Sequence, residues 1–279
     1  MTGPLDGRVC LVTGASGGLG LATARALAAE GAHVILVCRD AARGARALDE
    51  VGRDRAELVL ADLGSLASIE GAAAAVAARH PRLDVLVNNA GLISTRRALT
   101  ADGFETTFGV NHLGPFALTN RLLPLLRAGA PSRIVNVSSN AHRGAQLDFD
   151  DLQAERRYSF WAAYCRSKLA NILFSAELAR RLTGTGVTAN AVHPGAVRTR
   201  LGDGNGRALD LLARGIKLFM LSPERGARTQ VSLATAPEVA GVSGRYFVRC
   251  REATPSAAAR DAAAQDRLWD VSRTLTGTG

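Results

Sequence analysis

The sequence predicts an α/β protein built on one doubly wound parallel sheet of about seven strands, with helices on both faces. Short apolar, β-branched runs alternate along the chain with longer alanine-rich segments of helical period. This alternation is typical of βαβ units. The short runs are apolar almost throughout, as expected of parallel strands that are covered on both faces. We find no linker, so we expect a single domain over residues 1–279.

Seven runs are the strand candidates. They read, in chain order, RVCLVTG (8–14), HVILVCR (33–39), AELVLAD (56–62), LDVLVNNAG (83–91), RIVNVSS (133–139), VTANAVHPG (187–195) and GRYFV (244–248). The predicted helices between them cover residues 19–31, 40–52 and 65–80, a long helix from about Ala101 to Ala128, and the helix that contains Tyr164. Right-handed crossovers would then place these helices on both faces of the sheet.

Two connections are longer than the usual strand-to-helix loop of about 2–6 residues. They span about residues 140–160 and about residues 200–222, and each follows the carboxyl end of a predicted strand. Open α/β sheets bind ligands at that edge. We therefore expect these two segments to form the substrate-binding loops.

Composition limits the classes of partner. The net charge is +9, yet the basic residues are dispersed and alternate with acidic ones, whereas a nucleic-acid interface concentrates them on one stripe. A nucleic-acid-associated protein is an alternative supported by charge alone. No apolar run reaches the roughly 18 residues of a membrane span, and the first residues lack a signal-peptide pattern. We expect a cytoplasmic protein with neither nucleic acid nor membrane as partner, and the scattered histidines and cysteines predict no metal site.

A glycine-rich segment, TGASGGLG (13–20), directly follows the first strand and opens the first helix. Glycines at such a turn let the backbone approach a pyrophosphate, whose charge is stabilised at the helix N-terminus. The alternative is a tight turn that binds nothing. The residues predicted to contact a dinucleotide here are Gly14, Ser16, Gly18, Leu19 and Gly20.

The end of the second strand indicates which dinucleotide is preferred. It reads Cys38-Arg39-Asp40, with arginine where an acid would accept a ribose hydroxyl. An arginine suits the 2′-phosphate of NADP(H), so NADP(H) is favoured over NAD(H). Asp40 is expected to cap the following helix. After the third strand, Asp62 and Leu63 are placed to flank the adenine, although Asp62 could instead be a helix cap.

Tyr164 and Lys168 lie four residues apart, in AYCRSKLANIL (162–172). Residues at this spacing share one face of a helix, so a phenol is placed beside an ammonium. An isolated pair of this kind is most often a surface contact. The rest of the chain must therefore decide whether the pair is functional.

The ordered motifs TGASGGLG, NNAG (88–91), Asn111, SS (138–139), Tyr164-x-x-x-Lys168 and PG (194–195) resemble the short-chain dehydrogenase/reductase family, over essentially the whole chain. Segments such as VNHLGPFALT, SPERGART and LWDVS are similar to its retinol dehydrogenase and WW-domain-oxidoreductase-like branch. The resemblance implies a Rossmann fold. It also implies a general acid/base at Tyr164, with Lys168 as its partner, a carbonyl-binding hydroxyl at Ser139 and a proton-relay residue at Asn111. Further cofactor contacts are implied at Asn89, Ala90, Gly91, Pro194, Gly195, Val197 and Thr199.

These roles predict hydride transfer between NADP(H) and the carbonyl or secondary alcohol of a small organic substrate, with ketone or aldehyde reduction favoured. The Lys168 ammonium would lower the pKa of Tyr164, and Ser139 would donate to the developing alkoxide. The alternative is a catalytically silent NADP(H)-binding sensor of the same fold. By analogy with the family we also expect a homodimer or homotetramer, formed through the Ala101–Ala128 helix and the Tyr164 helix.

Overall fold

The computed structural model describes residues 3–195 and 221–278. Its strands form one eight-stranded sheet in the order β3-β2-β1-β4-β5-β6-β7-β8. The first seven strands are parallel, and only β8 runs antiparallel to its neighbour β7. The strands are β1 Val9–Thr13, β2 His33–Cys38, β3 Ala56–Leu60, β4 Val85–Asn88, β5 Ser132–Val137, β6 Val187–His193, β7 Tyr246–Val248 and β8 Arg251–Glu252.

Helices connect the strands on both sides of the sheet. They are α1 Gly18–Ala29, α2 Ala41–Val51, α3 Leu66–Arg79, α4 Thr106–Phe108, α5 Gly114–Ala128, α6 Phe160–Arg181, α7 Pro223–Thr235 and α8 Ala262–Thr276. Short polar side chains start several of them: Ser65 caps α3 and Ser159 caps α6, each accepting a backbone hydrogen bond from the first turn. None of the described helices combines the length and hydropathy needed to span a bilayer.

The predicted fold class is confirmed. All seven predicted runs form strands in a doubly wound parallel sheet. The sheet has one more strand than the seven runs, because β8 contains only Arg251 and Glu252 and carries no apolar pattern. The helices α7 and α8 were not among the predicted helices.

The long helix predicted from Ala101 to Ala128 is wrong at its start and in its interior. Gly103 adopts φ +83°, a left-handed conformation that ends any helix there, and the helical segment begins only at Thr106. The Glu105 carboxylate caps that start by accepting hydrogen bonds from the backbone amides of Thr107 and Phe108. A π-helical turn, Gly109–Leu113, then separates α4 from α5.

Two apolar layers cover the sheet. The helices α1, α2 and α7 contribute to the core on one face, and α3, α5 and α6 contribute to the core on the other. The C-terminal helix α8 packs over α5 and α6 through Trp269, whose ring centroid lies 4.9 Å from that of Phe116 and 6.1 Å from that of Phe174. Helix α8 therefore covers part of α6, one of the two helices through which we expected association.

The strand order fixes the place of a binding site. The central strand β1 pairs with β2 on one side and with β4 on the other, so the connections leave in opposite directions from this point. Ligands of open α/β sheets bind where the order reverses, beyond the carboxyl ends of the strands. We call this end of the sheet the carboxyl edge and the opposite end the amino edge.

Candidate active site

The glycine-rich segment forms a close-packed turn between β1 and α1. Gly14 has φ +68°, and a Cβ atom there would come within 2.9 Å of the Ala90 Cα. A Cβ atom at Gly20 would collide with the carbonyl of Gly14 and with Asn89. No described side chain caps the N-terminus of α1, whose cap residue is Gly17. The free amide groups of the first turn are therefore available to an anion, as a pyrophosphate site requires.

The end of β4 is fixed against this turn. The Thr13 hydroxyl accepts hydrogen bonds from the backbone amides of Asn89 and Ala90, each at 3.0 Å, and the Asn89 side chain donates to the Thr13 carbonyl at 2.9 Å. The segment Asn89–Gly91 consequently lines the switch point beside the glycine turn. Ser16 is half-buried within the turn and Leu19 is buried beneath it.

At the end of β2, Cys38 is buried and Arg39 is the first exposed residue. Asp40 caps α2 by accepting a hydrogen bond from the Arg43 amide at 2.7 Å, which is the capping role expected of it. The Arg43 guanidinium lies beside the glycine turn, 3.7 Å from the position that a Cβ atom of Gly17 would occupy. Sequence reasoning missed Arg43, although its place one helical turn after Arg39 was a usable signal.

Beyond β3, Asp62 holds the turn into α3. Its carboxylate accepts a hydrogen bond from the Gly64 amide at 2.8 Å, and its own amide donates to the Ser68 hydroxyl at 3.0 Å. Ser65, rather than Asp62, caps the helix. Leu63 is buried. Both residues thus lie at the carboxyl edge, and contact with an adenine stays a prediction.

Helix α6 carries Tyr164 and Lys168 under the carboxyl edge. Tyr164 is 8% exposed and Lys168 is 3% exposed. The Lys168 ammonium donates to the Val137 carbonyl at 3.1 Å and lies 5.6 Å from the centroid of the Tyr164 ring. The pair is therefore buried, which removes the interpretation as a surface contact.

The π-helical turn places Asn111 beside this pair. The Asn111 amide exchanges two hydrogen bonds with the backbone of Leu92, at 2.8 and 2.9 Å, and donates to the Ser167 hydroxyl at 3.0 Å. A Cβ atom at Gly91 would lie 3.3 Å from the Asn111 oxygen and 3.4 Å from the Lys168 ammonium. Because Gly91 has no side chain, the segment Asn89–Gly91 can approach both the Asn111 amide and the Lys168 ammonium.

The strand pleat separates the two serines that follow β5. The Ser138 hydroxyl turns into the protein and donates to the Lys168 carbonyl at 2.6 Å. The Ser139 hydroxyl accepts a hydrogen bond from the Ala141 amide at 3.2 Å and also interacts with the Tyr164 hydroxyl. The structure therefore brings Ser139, and not Ser138, to the phenol.

Burial controls ionisation in the site. It raises the pKa of Tyr164 above its usual value, and the hydrogen bond from Ser139 partly opposes this. It lowers the pKa of Lys168 to about 8. This direction of the Tyr164 pKa is opposite to the one expected from its lysine neighbour, because burial of the phenol is the largest contribution. Tyr164 is a protonated donor at neutral pH in this arrangement.

His142 bonds the backbone of Ser139 and links it to Ser256. The sequence did not predict this role. One ring nitrogen bonds the Ser139 carbonyl at 2.7 Å, and the other accepts from the Ser256 amide at 3.1 Å. The second contact requires a lone pair on Nε2, so Nδ1 carries the proton and donates. Burial lowers the pKa of His142, in keeping with this neutral tautomer.

The remaining predicted contacts lie at or beyond the end of β6. Pro194 and Gly195 follow that strand at the carboxyl edge, and Gly195 has φ +92°. Val197 and Thr199 lie outside the described residues, as does most of the predicted loop at 200–222. The other predicted loop consists of a 3₁₀ turn, Asn140–Gly144, followed by irregular chain up to the start of α6.

Comparison with known proteins gives matches over most of the chain. The family model for short chain dehydrogenase matches residues 8–209. Human retinol dehydrogenase 14 is 45% identical, with 99% of this chain and 88% of the relative covered. Human retinol dehydrogenase 12 is 46% identical, with 98% and 87% covered.

Solved structures show the same similarity. An uncharacterised protein from Mycobacterium paratuberculosis superimposes with a TM-score of 0.81 and 38% identity, covering 98% of this chain and 95% of that one. The Pseudomonas aeruginosa RhlG/NADP active-site complex gives a TM-score of 0.71 and 30% identity, covering 87% and 94%.

Proposed function

The chain belongs to the short-chain dehydrogenase family, and from that premise we propose that it is an NADP(H)-dependent oxidoreductase that reduces a ketone or an aldehyde to an alcohol. The observation that carries the proposal is the convergence of Asn111, Ser139, Tyr164 and Lys168 beside the glycine turn at the carboxyl edge. Family membership supports an oxidoreductase acting on an alcohol or a carbonyl. The choice of NADP(H) and of the reductive direction is the finer part of the proposal.

The residues present fit a dinucleotide. The close approach of Gly14 to Ala90, and the uncapped start of α1, leave backbone amides for a pyrophosphate. Arg39 is exposed at the end of β2, and Arg43 approaches the same turn from α2. Two guanidinium groups suit a 2′-phosphate and would not favour a ribose hydroxyl. The NADP complex of the related RhlG protein supports the same choice.

When bound, NADP(H) supplies the hydride, and the proton chemistry belongs to the chain. Because burial holds the pKa of Tyr164 above its usual value, its hydroxyl remains protonated and can donate a proton to a developing alkoxide. Ser139, held by His142, is placed to donate a hydrogen bond to the same oxygen. Lys168 supplies positive charge under the phenol, which favours the phenolate left after transfer.

The described surroundings of Tyr164 indicate an apolar substrate. The Trp161 ring lies 5.8 Å from the Tyr164 ring, yet it is 55% exposed, and the neighbouring Phe160 is 45% exposed. Exposed aromatic rings beside a reactive group are suited to bind an apolar molecule that carries the carbonyl. We therefore propose aromatic or long apolar aldehydes and ketones, and the similarity to retinol dehydrogenases adds retinal to the candidates.

The cofactor proposal can be tested with a charge-matched pair of variants. A charge-assisted hydrogen bond contributes roughly 1.5–3 kcal/mol, so NADPH should exceed NADH by about 10- to 150-fold in kcat/KM. Arg39→Leu should lose most of that preference. Arg46→Leu removes the same charge from an exposed position on α2 and should keep it. Equal efficiencies with the two cofactors in the unmodified protein would contradict the proposal.

The substrate proposal is tested by NADPH absorbance against a panel of aromatic, retinoid, steroid-like and short aliphatic carbonyls. Trp161→Ala should raise KM for the preferred apolar substrate while changing kcat little, because the ring contacts substrate rather than the transferred proton. A preference for short polar carbonyls would contradict this part of the proposal. A homodimer or homotetramer and a cytoplasmic location stay predictions, and light scattering tests the first.

A further inference from the structure

Three potential metal ligands meet at the amino edge of the sheet, far from the site described above. His33 is the first residue of β2, Glu57 is the second residue of β3, and His80 ends α3. All three are half-buried. No role in the proposed oxidoreductase reaction falls on any of them, since the reaction occurs at the carboxyl edge.

The side chains converge closely enough to share one ion. One potential ligand atom from each residue lies within 4.8 Å of those of the other two. The Glu57 Oε1 atom is 2.7 Å from His80 Nε2, and the two imidazole rings are 5.5 Å apart between centroids. Zinc binds nitrogen at about 2.0–2.1 Å and carboxylate oxygen at about 2.0–2.2 Å. Small side-chain rotations would therefore bring the three atoms around one centre.

The outer contacts of the cluster also suit a cation. The other Glu57 oxygen, Oε2, accepts a hydrogen bond from Arg79 at 3.0 Å. That contact orients the carboxylate and leaves Oε1 directed toward the histidines, as outer contacts do for established metal ligands.

We propose that His33, Glu57 and His80 form a binding site for a divalent transition metal, with zinc as the ion that fits best. Two imidazoles and one carboxylate make a donor set that zinc accepts, with a fourth position left for water. The ion would connect the starts of β2 and β3 with the end of α3. Its effect would therefore be to stabilise the amino edge.

The competing interpretation is a simple ion pair between Glu57 and His80 or Arg79. An ion pair does not need His33, whose ring forms no hydrogen bond among residues 3–195 and 221–278. It also predicts no change when zinc is added. A metal site requires all three residues and responds to zinc, so the two interpretations differ in their dependence on His33.

The test is isothermal titration of zinc chloride into the full-length chain and into His33→Gln, Glu57→Gln and His80→Gln. Loss of an outer-shell contact costs about 10- to 100-fold in metal affinity, so loss of a ligand should weaken binding at least about tenfold. Cys250→Ser is the matched control, because this exposed thiol is the alternative surface ligand. It should bind zinc as the unmodified chain does.

Two further readings on the unmodified chain keep the proposal testable if a variant folds poorly. Cobalt(II) should give the visible absorption of a low-coordinate nitrogen and oxygen site, and zinc should displace it. Zinc in excess of the dissociation constant should raise Tm by a few degrees, since it binds the folded state alone. Absence of saturable binding, or equal binding in all three ligand variants, would overturn the proposal.

Discussion

Two equally buried charges lie toward opposite edges of the sheet, and their surroundings differ. Asp84 precedes β4 at the amino edge and Lys168 lies under the carboxyl edge, and each is 3% exposed. The Asp84 carboxylate accepts hydrogen bonds from the Arg8 guanidinium at 2.6 Å and from the Val9 amide at 2.8 Å. The Arg82 guanidinium lies 3.5 Å from its second oxygen.

Lys168 has no such compensation. Its ammonium donates to the Val137 carbonyl, and no carboxylate in the described part of the chain forms an ion pair with it. Leaving a charge buried without a counter-charge is costly to the fold. Ionisable groups whose pKa values are strongly shifted by burial occur most often at functional sites. The comparison indicates that Asp84 contributes to stability, and it supports the proposal that Lys168 serves the reaction at the expense of stability.

The largest expected effect is on turnover at the site that contains Lys168 and Tyr164. Tyr164→Phe removes only the hydroxyl that we propose as the proton donor, so turnover should fall by about 10²- to 10⁴-fold while the fold is kept. The steady-state rate of NADPH oxidation measures this. Tyr158→Phe is the matched control, because that hydroxyl bonds the Ser94 carbonyl and the Glu105 carboxylate rather than the Tyr164 phenol. A Tyr164→Phe protein with substantial turnover would remove Tyr164 from the mechanism.

Substitution of Asp84 is expected to change the stability of the fold. Asp84→Asn should lower the free energy of unfolding by about 1–3 kcal/mol, since the hydrogen bonds to the guanidinium lose their charge assistance. The rate of turnover should not change. Denaturant unfolding measures the loss, with Asp49→Asn as the control. That residue forms an exposed pair with Arg53 and should cost less than about 1 kcal/mol.

A third buried group sharpens the comparison, because it avoids charge altogether. His112 packs among aromatic rings and bonds the Ser272 hydroxyl at 2.8 Å, and burial lowers its pKa to about 3. The unfolded state, with an ordinary histidine pKa near 6.5, then binds more protons than the folded state at mildly acid pH. The contribution of the neutral, buried His112 to the free energy of unfolding is therefore complete above about pH 6.5 and is lost as the pH falls below that value.

The expected slope from this residue rises from about 1.0 kcal/mol per pH unit at pH 6 to nearly 1.4 kcal/mol per pH unit at about pH 5. His112→Gln should remove that part of the slope whatever it does to absolute stability. Urea unfolding at several pH values gives the measurement. An unchanged slope in the variant would mean that His112 is not buried in the neutral form.

The sheet and the position of the site could be predicted from local sequence. Apolar runs of strand length fix the parallel strands, and the glycine turn follows the first of them. Asp40 was expected to cap a helix, and it does. These features depend on residues that are close in sequence.

The features that were missed depend on contacts between distant residues. The π-helical turn at Gly109–Leu113 and the two-residue strand β8 carry no periodic signal of their own. His142 reaches Ser256 across 114 positions. The cluster of His33, Glu57 and His80 forms only when two strands and a helix end meet. No spacing along the chain could reveal it.

The direction of the Tyr164 pKa shows the same limit. Residue spacing placed an ammonium beside the phenol, and only the structure shows that the ammonium faces Val137 while burial raises the pKa of Tyr164. The choice of Ser139 over Ser138 came from the family resemblance, and the structure supplies its physical reason, because the Ser138 hydroxyl turns to the Lys168 carbonyl while that of Ser139 does not.

The most direct test of the central claim is a paired measurement on Lys168→Met. Burial lowers the lysine pKa from 10.5 to about 8, which corresponds to a cost of about 3 kcal/mol while the group is charged. Because the unfolded state binds more protons between these values, that cost is full below pH 8 and disappears as the pH rises toward 10.5. Asn171 still donates to the Val137 carbonyl in the variant.

The two quantities are the free energy of unfolding at pH 7 and kcat/KM with NADPH. We expect Lys168→Met to be more stable by up to about 3 kcal/mol, with the gain shrinking above pH 8, and to lose at least about 100-fold in kcat/KM. A variant that is less stable than the unmodified protein at pH 7, or one that keeps its turnover, would contradict the account.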